Sequence, residues 1–514
     1  MRKCISMYAL LNKDVKYKCG YYSFFSKKNN NKQLLPMKIG RITAAGFIII
    51  FLSFAIIHKA NAQQLPKPSA AQLAWHNMEF YLFMHFGPNT FTDLEWGHGN
   101  EKEEVFNPTQ LDCDQWCRVA KASGAKGIII TAKHHDGFCL WPSKFSKHTV
   151  RESKWKDGKG DVLKELSAAC KKYGLKFGVY ISPWDRNHPD YGTEKYNDVF
   201  VGMMKELFTS YGPIWELWWD GANGEGPNGK KQVYDWKRFK ATARKLSPNT
   251  VIFSDVGPDI RWVGNENGIA GPTNWNNLNI DGFEPGLLAP VTDTLNKGNI
   301  NGKYWIPAEC DVSIRPGWFY HKAEDDKVKT PEQLFQLYLK SVGRGANLLL
   351  NVPPDGRGLI TKFDSVALMN FKKLKDKNFG TNIFKHAGTY HLFGGILKKA
   401  PKVSDGNFAT AEKFTAMNRE SVGLEIKENK KVNCIVLYEN IQAGQNCGGF
   451  KLLLFNKKEE LIKEIHGTTI GRKRILTFPA VDISTIELTI EGQKGHTLIT
   501  EIEGYLITDN LIEK

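Results

Sequence analysis

Asp220 follows two tryptophans at the end of an apolar run, PIWELWWDGANGEGPNG (Pro213–Gly229), and opens onto a glycine-rich loop. A carboxylate so set can cap a turn, ligate a metal or act on a substrate. Further carboxylates lie downstream in SDVGPDIRWVGNENG (Ser254–Gly268), where Asp255, Asp259 and Glu266 sit among Gly, Asn and Trp. Other apolar runs end in His85, His134-His135-Asp136, Tyr180 and Glu309. Aromatic rings beside carboxylates, with few aliphatics, are how a sugar site is built. Ring faces pack on the C–H face of a pyranose while His, Glu and indole N–H groups bond its hydroxyls. Glycosidic cleavage needs two carboxyl groups, one ionised and one holding a proton. Asp220 is one candidate. The loop around Glu266 favours that residue as its partner, although composition does not rank it firmly above Asp255 and Asp259.

Metal chemistry fits the same residues less well. Adjacent residues in a strand face opposite ways, so His134 and His135 are not expected to bind one ion. Cys113 and Cys117 have helical spacing, but no second Cys/His pair completes a zinc pattern. The seven cysteines after Ala62 are odd in number and irregularly spaced, which predicts buried thiols rather than a disulfide framework. No cofactor is expected, and the lack of a glycine-rich phosphate loop opening a helix after the first strand counts against a doubly wound sheet. Cys139 and Trp141 read as packing residues, Asp255 and Asp259 as holders of Arg261, and Trp184 and Trp262 equally as core or subsite floor.

The elements that position these residues alternate. Continuous apolar runs at Tyr81–Gly87, Ala125–Phe138, Lys176–Trp184, Ile214–Ala222, Thr250–Gly257, Tyr304–Asp311 and Ala346–Pro354 are separated by amphipathic ones, among them Cys113–Ser123, Val162–Gly174, Asp198–Gly212, Tyr234–Leu246 and Pro331–Val342. Such strands are buried and parallel, hence α/β. Seven of them in about 280 residues predict a (β/α)8-type barrel over 63–381 more readily than a doubly wound sheet, with the strand ends converging on one face. From about Asn382 to Lys514, short alternating segments such as NCIVLYEN and TIELTIE predict an all-β sandwich domain.

The net charge of +16 invites a nucleic-acid reading until it is located. Residues 1–62 carry 11 Lys/Arg against one Asp, so +10 resides there and the rest of the chain is about +6. No nucleic-acid partner is expected. Within that segment, Met37-Lys38 and Arg41 precede the apolar run Ala44–Ile57 and the small-residue site Ala60-Asn61-Ala62. Residues 1–62 therefore read as an upstream extension plus a secretory signal that is removed, leaving a secreted or periplasmic protein without stable membrane insertion. No feature bears on oligomeric state.

Six motifs in order sharpen the sugar reading: HFGPNTF (His85–Phe91), EWGHGNE (Glu95–Glu101), TAKHHDGFCLWPSKFS (Thr131–Ser146), YISPWDRNHPDYG (Tyr180–Gly192), ELWWDGANG (Glu216–Gly224) and GPDIRWVGNENG (Gly257–Gly268). Together with PGWFYH (Pro316–His321) and LLLNVPPDGRG (Leu348–Gly358), they make roughly Ala70–Gly380 resemble the α-L-fucosidases of glycoside hydrolase family 29. The resemblance implies a retaining exo-hydrolase acting on a fucosylated glycan. It implies Asp220 as nucleophile and Glu266 as acid/base, in the sequence context of the branch acting on α-1,3 and α-1,4 linkages. His85, Trp96, His134, His135, Tyr180 and Trp218 would hold the fucose, Trp318 would lie near its methyl group, and Glu95 is a further substrate-binding candidate. A retaining pair stands roughly 5–5.5 Å apart. The competing readings are an inactive carbohydrate-binding protein, a barrel glycosidase for a related sugar such as an α-galactoside, and a metal-dependent hydrolase. In the C-terminal part VSDGNFATAEKF (Val403–Phe414) resembles discoidin-like modules but lacks their tryptophans, so packing against the barrel is expected there.

Overall fold

The computed structural model describes residues 65–394, 396–415 and 420–513. The expected secretory signal lies outside them. Eight parallel strands close a barrel in chain order: β1 (Phe80–Met84), β2 (Gly127–Lys133), β3 (Lys176–Ile181), β4 (Glu216–Trp219), β5 (Val251–Ser254), β6 (Ile260–Trp262), β7 (Ala308–Ser313) and β8 (Asn347–Asn351). Almost every strand residue is buried, as strands covered on both faces require. Tyr81, Phe83, Ile129, Tyr180, Trp218, Phe253 and Leu349 fill the interior, while a larger apolar layer lies between strands and helices.

The helices start where the sequence supplies caps. Asp112, Asp161 and Asp235 each accept the N–H of the third residue onward, opening α1 (Cys113–Ser123), α2 (Val162–Tyr173) and α4 (Trp236–Leu246). Between these, α3 (Lys195–Ser210) follows β3; α5 (Pro331–Lys340) starts from a Thr330/Gln333 capping box, and α6 (Lys362–Asn378) from Thr361.

Two expectations are corrected. The eighth strand, β6, lies inside the segment read as the loop of Asp255 to Glu266, and no helix separates it from β5. The run Tyr304–Asp311 divides: Tyr304–Trp305 pairs with Asn277–Leu278 outside the barrel, and β7 starts at Ala308 and continues to Ser313.

Beyond α6, eight antiparallel strands form an all-β domain. Its two longest, Glu420–Glu439 and Arg474–Gln493, pair along most of their length with two register shifts. The first half of Glu420–Glu439 also pairs with Gly388–Phe393 and the second half with Thr497–Tyr505, so one strand serves both ends of a shared core. This domain packs on the barrel as expected. Thr469 Oγ1 accepts the Asn274 N–H (2.9 Å), Gln445 Oε1 accepts that of Asn276 (2.7 Å), and Arg474 donates to the Pro272 carbonyl (2.7 Å). All seven cysteines of the described residues are free and buried. No helix among these residues is long and apolar enough to cross a membrane.

Candidate active site

The ten residues that the resemblance assigned to catalysis or substrate binding all line one pocket of about 160 Å³ at the C-terminal ends of the barrel strands, whereas Asp136, Asp255, Asp259 and Glu309 do not line it. That is well below the roughly 300–1,000 Å³ of sites for drug-sized ligands, so the pocket takes one sugar ring. Tyr180 and Trp218 come from within β3 and β4, Asp220 follows β4 directly, and His85 and His134-His135 follow β1 and β2. Glu266 arrives on the loop after β6, Trp318 on the loop after β7, and Glu95-Trp96 on the loop after β1.

Asp220 is held on both oxygens. Tyr180 Oη donates to Oδ2 (2.9 Å) and the Ala222 N–H to Oδ1 (2.7 Å), while His135 Nε2 stands 3.8 Å from Oδ2. Glu266 is held lightly, by Trp318 Nε1–H at 3.4 Å. Partial burial pushes the Glu266 carboxyl above its ordinary value, and the charges of Asp220 and Glu95 push the same way. The pocket thus contains one carboxyl group fixed by two donors and one, lightly held, that is raised above its ordinary value.

The hydrogen-bond network fixes the histidine tautomers. Asn351 Nδ2 donates to the Trp318 carbonyl (2.7 Å) and to Ser313 Oγ (3.0 Å), so its oxygen must face His85, whose Nδ1–H donates to it (2.9 Å). Ser182 Oγ gives its hydrogen to the Trp184 carbonyl (3.0 Å), so it must accept from His135 Nδ1–H (2.7 Å). Burial lowers both imidazoles to about 4, keeping them neutral near pH 7. Each therefore turns an unprotonated Nε2 outward as an acceptor for a hydroxyl. His134 lies nearly parallel to the Tyr180 ring (5.9 Å between centroids, 19°), and its buried Nδ1 has no protein partner.

Several expectations change. His134 and His135 share the pocket, their rings 4.1 Å apart, because β2 ends at Lys133 and strand alternation no longer applies. Asp255 and Asp259 do not hold Arg261. Asp259 pairs with Arg244 and accepts the Ile252 N–H, whereas Arg261 donates to the carbonyls of Leu295, Ile306 and Trp275 and to Asn274 Oδ1. Lacking a carboxylate, the buried guanidinium is lowered to about 9. Glu95 lines the pocket, but its oxygens accept the N–H groups of Trp318 (2.8 Å) and Phe319 (3.0 Å), so it anchors the loop bearing Trp318. Trp184 packs on His135 behind the pocket, and Trp262 donates to Asp311 (2.9 Å).

Glu309 is not at the strand end. It lies deeper in the barrel, accepting Trp218 Nε1–H (2.9 Å) and Tyr81 Oη–H beside Glu216, and burial raises both carboxyls. Two residues on, and so on the same side of β7, Asp311 lines the pocket. Burial and the nearby Glu266 charge hold its carboxyl well above the ordinary range. Asp311, Phe83 and Ala222 complete the lining without having been singled out. The available signal for Asp311 was its position as the next polar residue on the face that carries Glu309.

A family model described as alpha-L-fucosidase matches residues 69–374. Alpha-L-fucosidase 1 of Arabidopsis thaliana is 40% identical over 453 residues, covering 86% of this chain and 88% of its own. A solved structure of a glycoside hydrolase 29 family member from an unknown rumen bacterium is 38% identical, with a TM-score of 0.76, covering 87% of this chain and 78% of that one. A Ruminococcus gnavus GH29 fucosidase solved in complex with fucose is 29% identical, with a TM-score of 0.77 and coverages of 87% and 96%. With the family model spanning more than half its length, the chain belongs to the α-L-fucosidases of glycoside hydrolase family 29.

Proposed function

We propose that the enzyme is a retaining exo-α-L-fucosidase that removes terminal α-1,3- or α-1,4-linked L-fucose through a covalent fucosyl-enzyme. The observation that carries this reading is the pairing, in one pocket sized for a single sugar, of an Asp220 fixed by two donors with a Glu266 whose carboxyl is raised above its ordinary value. Asp220 Oδ attacks the anomeric carbon as Glu266 gives its proton to the departing glycosidic oxygen. Water then gives a proton to Glu266, attacks the same carbon and releases Asp220. His85 and His135 Nε2 accept sugar hydroxyls, and Phe83 with Trp318, 6.4 Å apart and edge to face, gives the C6 methyl an apolar corner. A galactoside would bury its 6-OH there unpaired. The signal motif before Ala62 supports export of the chain.

Released fucose is expected to appear first as the α-anomer in time-resolved proton NMR; β-anomer first would overturn the retaining mechanism. Linkage is tested by supplying a Lewis-type trisaccharide and 2′-fucosyllactose in parallel. Release from the first alone is expected, and comparable release from the second would sink the linkage assignment, which rests on the GNENG context of Glu266.

The acid sets the pH profile. Because the carboxyl of Glu266 is raised and must be protonated to act, kcat/KM should persist where an ordinary glutamate, with a pKa of about 4.3, has ionised. It should fall only as pH rises through the raised value. Glu266→Gln is expected to lower kcat/KM on an oligosaccharide by roughly 10²–10⁴-fold. The loss should be smaller on α-L-fucosyl fluoride, whose leaving group needs no proton; equal losses on both would contradict the assignment.

A further inference from the structure

The segment after β6 returns to the rim of the pocket at a tight turn, Glu284–Leu288, closed by Glu284 N–H to Leu288 C=O (3.0 Å). Its tip rests on the backbone of Gly221, the residue after Asp220. Gly286 has a φ of +67°, and a Cβ added there would stand 2.4 Å from the Gly221 carbonyl oxygen, so the two backbones touch and only glycine fits. A second bond fixes the same point: Asp255 Oδ2, at the end of β5, accepts the Gly286 N–H at 3.1 Å. The Asp255 carboxyl also lies against Gly221, where an added Cβ would meet its Oδ2 at 3.0 Å. Gly221 stands between Asp220 and Ala222, both of which line the pocket.

Directly beside this anchored glycine the chain exposes apolar side chains. Leu287 is 76% and Leu288 56% exposed, and Val291 is 72% exposed three residues later. Single exposed leucines are ordinary, but three large apolar side chains within five positions, at the edge of a catalytic pocket, are the composition of a binding surface. The turn follows β6 and rests on the ends of β4 and β5, so around the rim it lies in the arc between Asp220, after β4, and Glu266, after β6. The pocket itself takes one sugar ring, so whatever the fucose is attached to must lie outside it, at the rim.

We propose that the Glu284–Leu288 turn is a leaving-group subsite, in which Leu287 and Leu288 cover the C–H face of the sugar that carries the fucose. The proposal rests on the fucosidase reading of the pocket and adds the surface that selects the rest of the substrate. The Asp255–Gly286 bond holds that wall against the residue following Asp220, so the position of the leaving sugar is tied to the position of the nucleophile.

The test compares two substrates on the full enzyme: a fucosylated trisaccharide, whose leaving group spans the rim, and α-L-fucosyl fluoride, whose leaving group does not reach it. For Leu287→Ser/Leu288→Ser, the ratio of kcat/KM on trisaccharide to kcat/KM on fluoride is expected to fall about tenfold, mostly through KM. Gly286→Ala, which lifts the turn from Gly221, is expected to lower the same ratio. A ratio unchanged in the leucine variant would overturn the proposal, as would a parallel loss on both substrates, which would make the turn only a brace for Asp220. Wild-type inactivity on the fluoride would instead indict the fucosidase reading itself.

Discussion

Asp220→Gly is expected to reduce hydrolysis of α-L-fucosides by on the order of 10⁴-fold or more, since the proposed covalent mechanism without its nucleophile would retain only binding and acid assistance. Three features of the site make the loss specific. Asp220 is fixed by Tyr180 Oη and the Ala222 N–H, so no neighbouring carboxylate can swing into its place. Asp255 is committed to the Gly286 N–H, and burial raises it to about 6. Burial and the nearby Glu266 charge raise the Asp311 carboxyl well above its ordinary value, and Asp311 accepts the Trp262 indole N–H. Azide supplies the diagnostic. In Asp220→Gly, azide entering the vacated space should displace the leaving group of an activated fucoside and yield β-L-fucosyl azide, with inverted configuration. Rescue with retained configuration, or residual activity within tenfold of wild type, would show that another residue attacks carbon.

Lys133→Met is expected to cost about 3–5 kcal/mol of folding stability, measured by urea denaturation, because it strands a buried charge. Lys133 Nζ and Asp185 are both essentially inaccessible and 3.3 Å apart inside the barrel's catalytic end. Burial pushes the Asp185 carboxyl up. The Lys133 ammonium and the N–H groups of His188 and Asn187 outweigh it, and the group lies below the ordinary value. The stabilisation is therefore complete above the unfolded-state value of about 3.9 and disappears as pH falls through the lower folded-state one. Adding Asp185→Asn should recover part of the loss; a double variant that is additively worse would refute the pairing. Activity should fall as well, since Lys133 Nζ also donates to the Trp184 carbonyl (3.0 Å), and Trp184 packs on His135.

Much of the barrel was legible because burial on both faces writes a strand as an unbroken apolar run, which is how seven of the eight announce themselves. Ile260–Trp262 escaped for a physical reason. It is three residues long, carries a charged Arg261 whose partners are three backbone carbonyls and one amide oxygen rather than a carboxylate, and follows its neighbour after a turn without a helix. The pocket residues were legible as polar or aromatic types at the ends of such runs. Asp311 was not, because the strand was ended two residues early and Glu309 took the role of its tip. Asn351 and Ser182, which set the tautomers of His85 and His135, carry no chemistry of their own in sequence; only the network reveals them. The pairing of Glu95 with two backbone N–H groups was equally invisible, since backbone partners leave no mark on residue type.

The β domain's grip on the barrel bears on how such enzymes can be rearranged. The segment it holds, Pro272 to Asn276, begins six residues after Glu266, and its backbone is bonded by Arg474, Thr469 and Gln445. Asn274 continues the chain of contacts inward, its Oδ1 accepting from Arg261 of β6, the strand from which the Glu266 loop departs. The loop carrying Glu266 is thereby tied to both domains at once. The barrel is not a self-contained cassette: shuffling its C-terminal partner for another β module is expected to move Glu266, the proposed acid, relative to Asp220, whose anchors lie within the barrel.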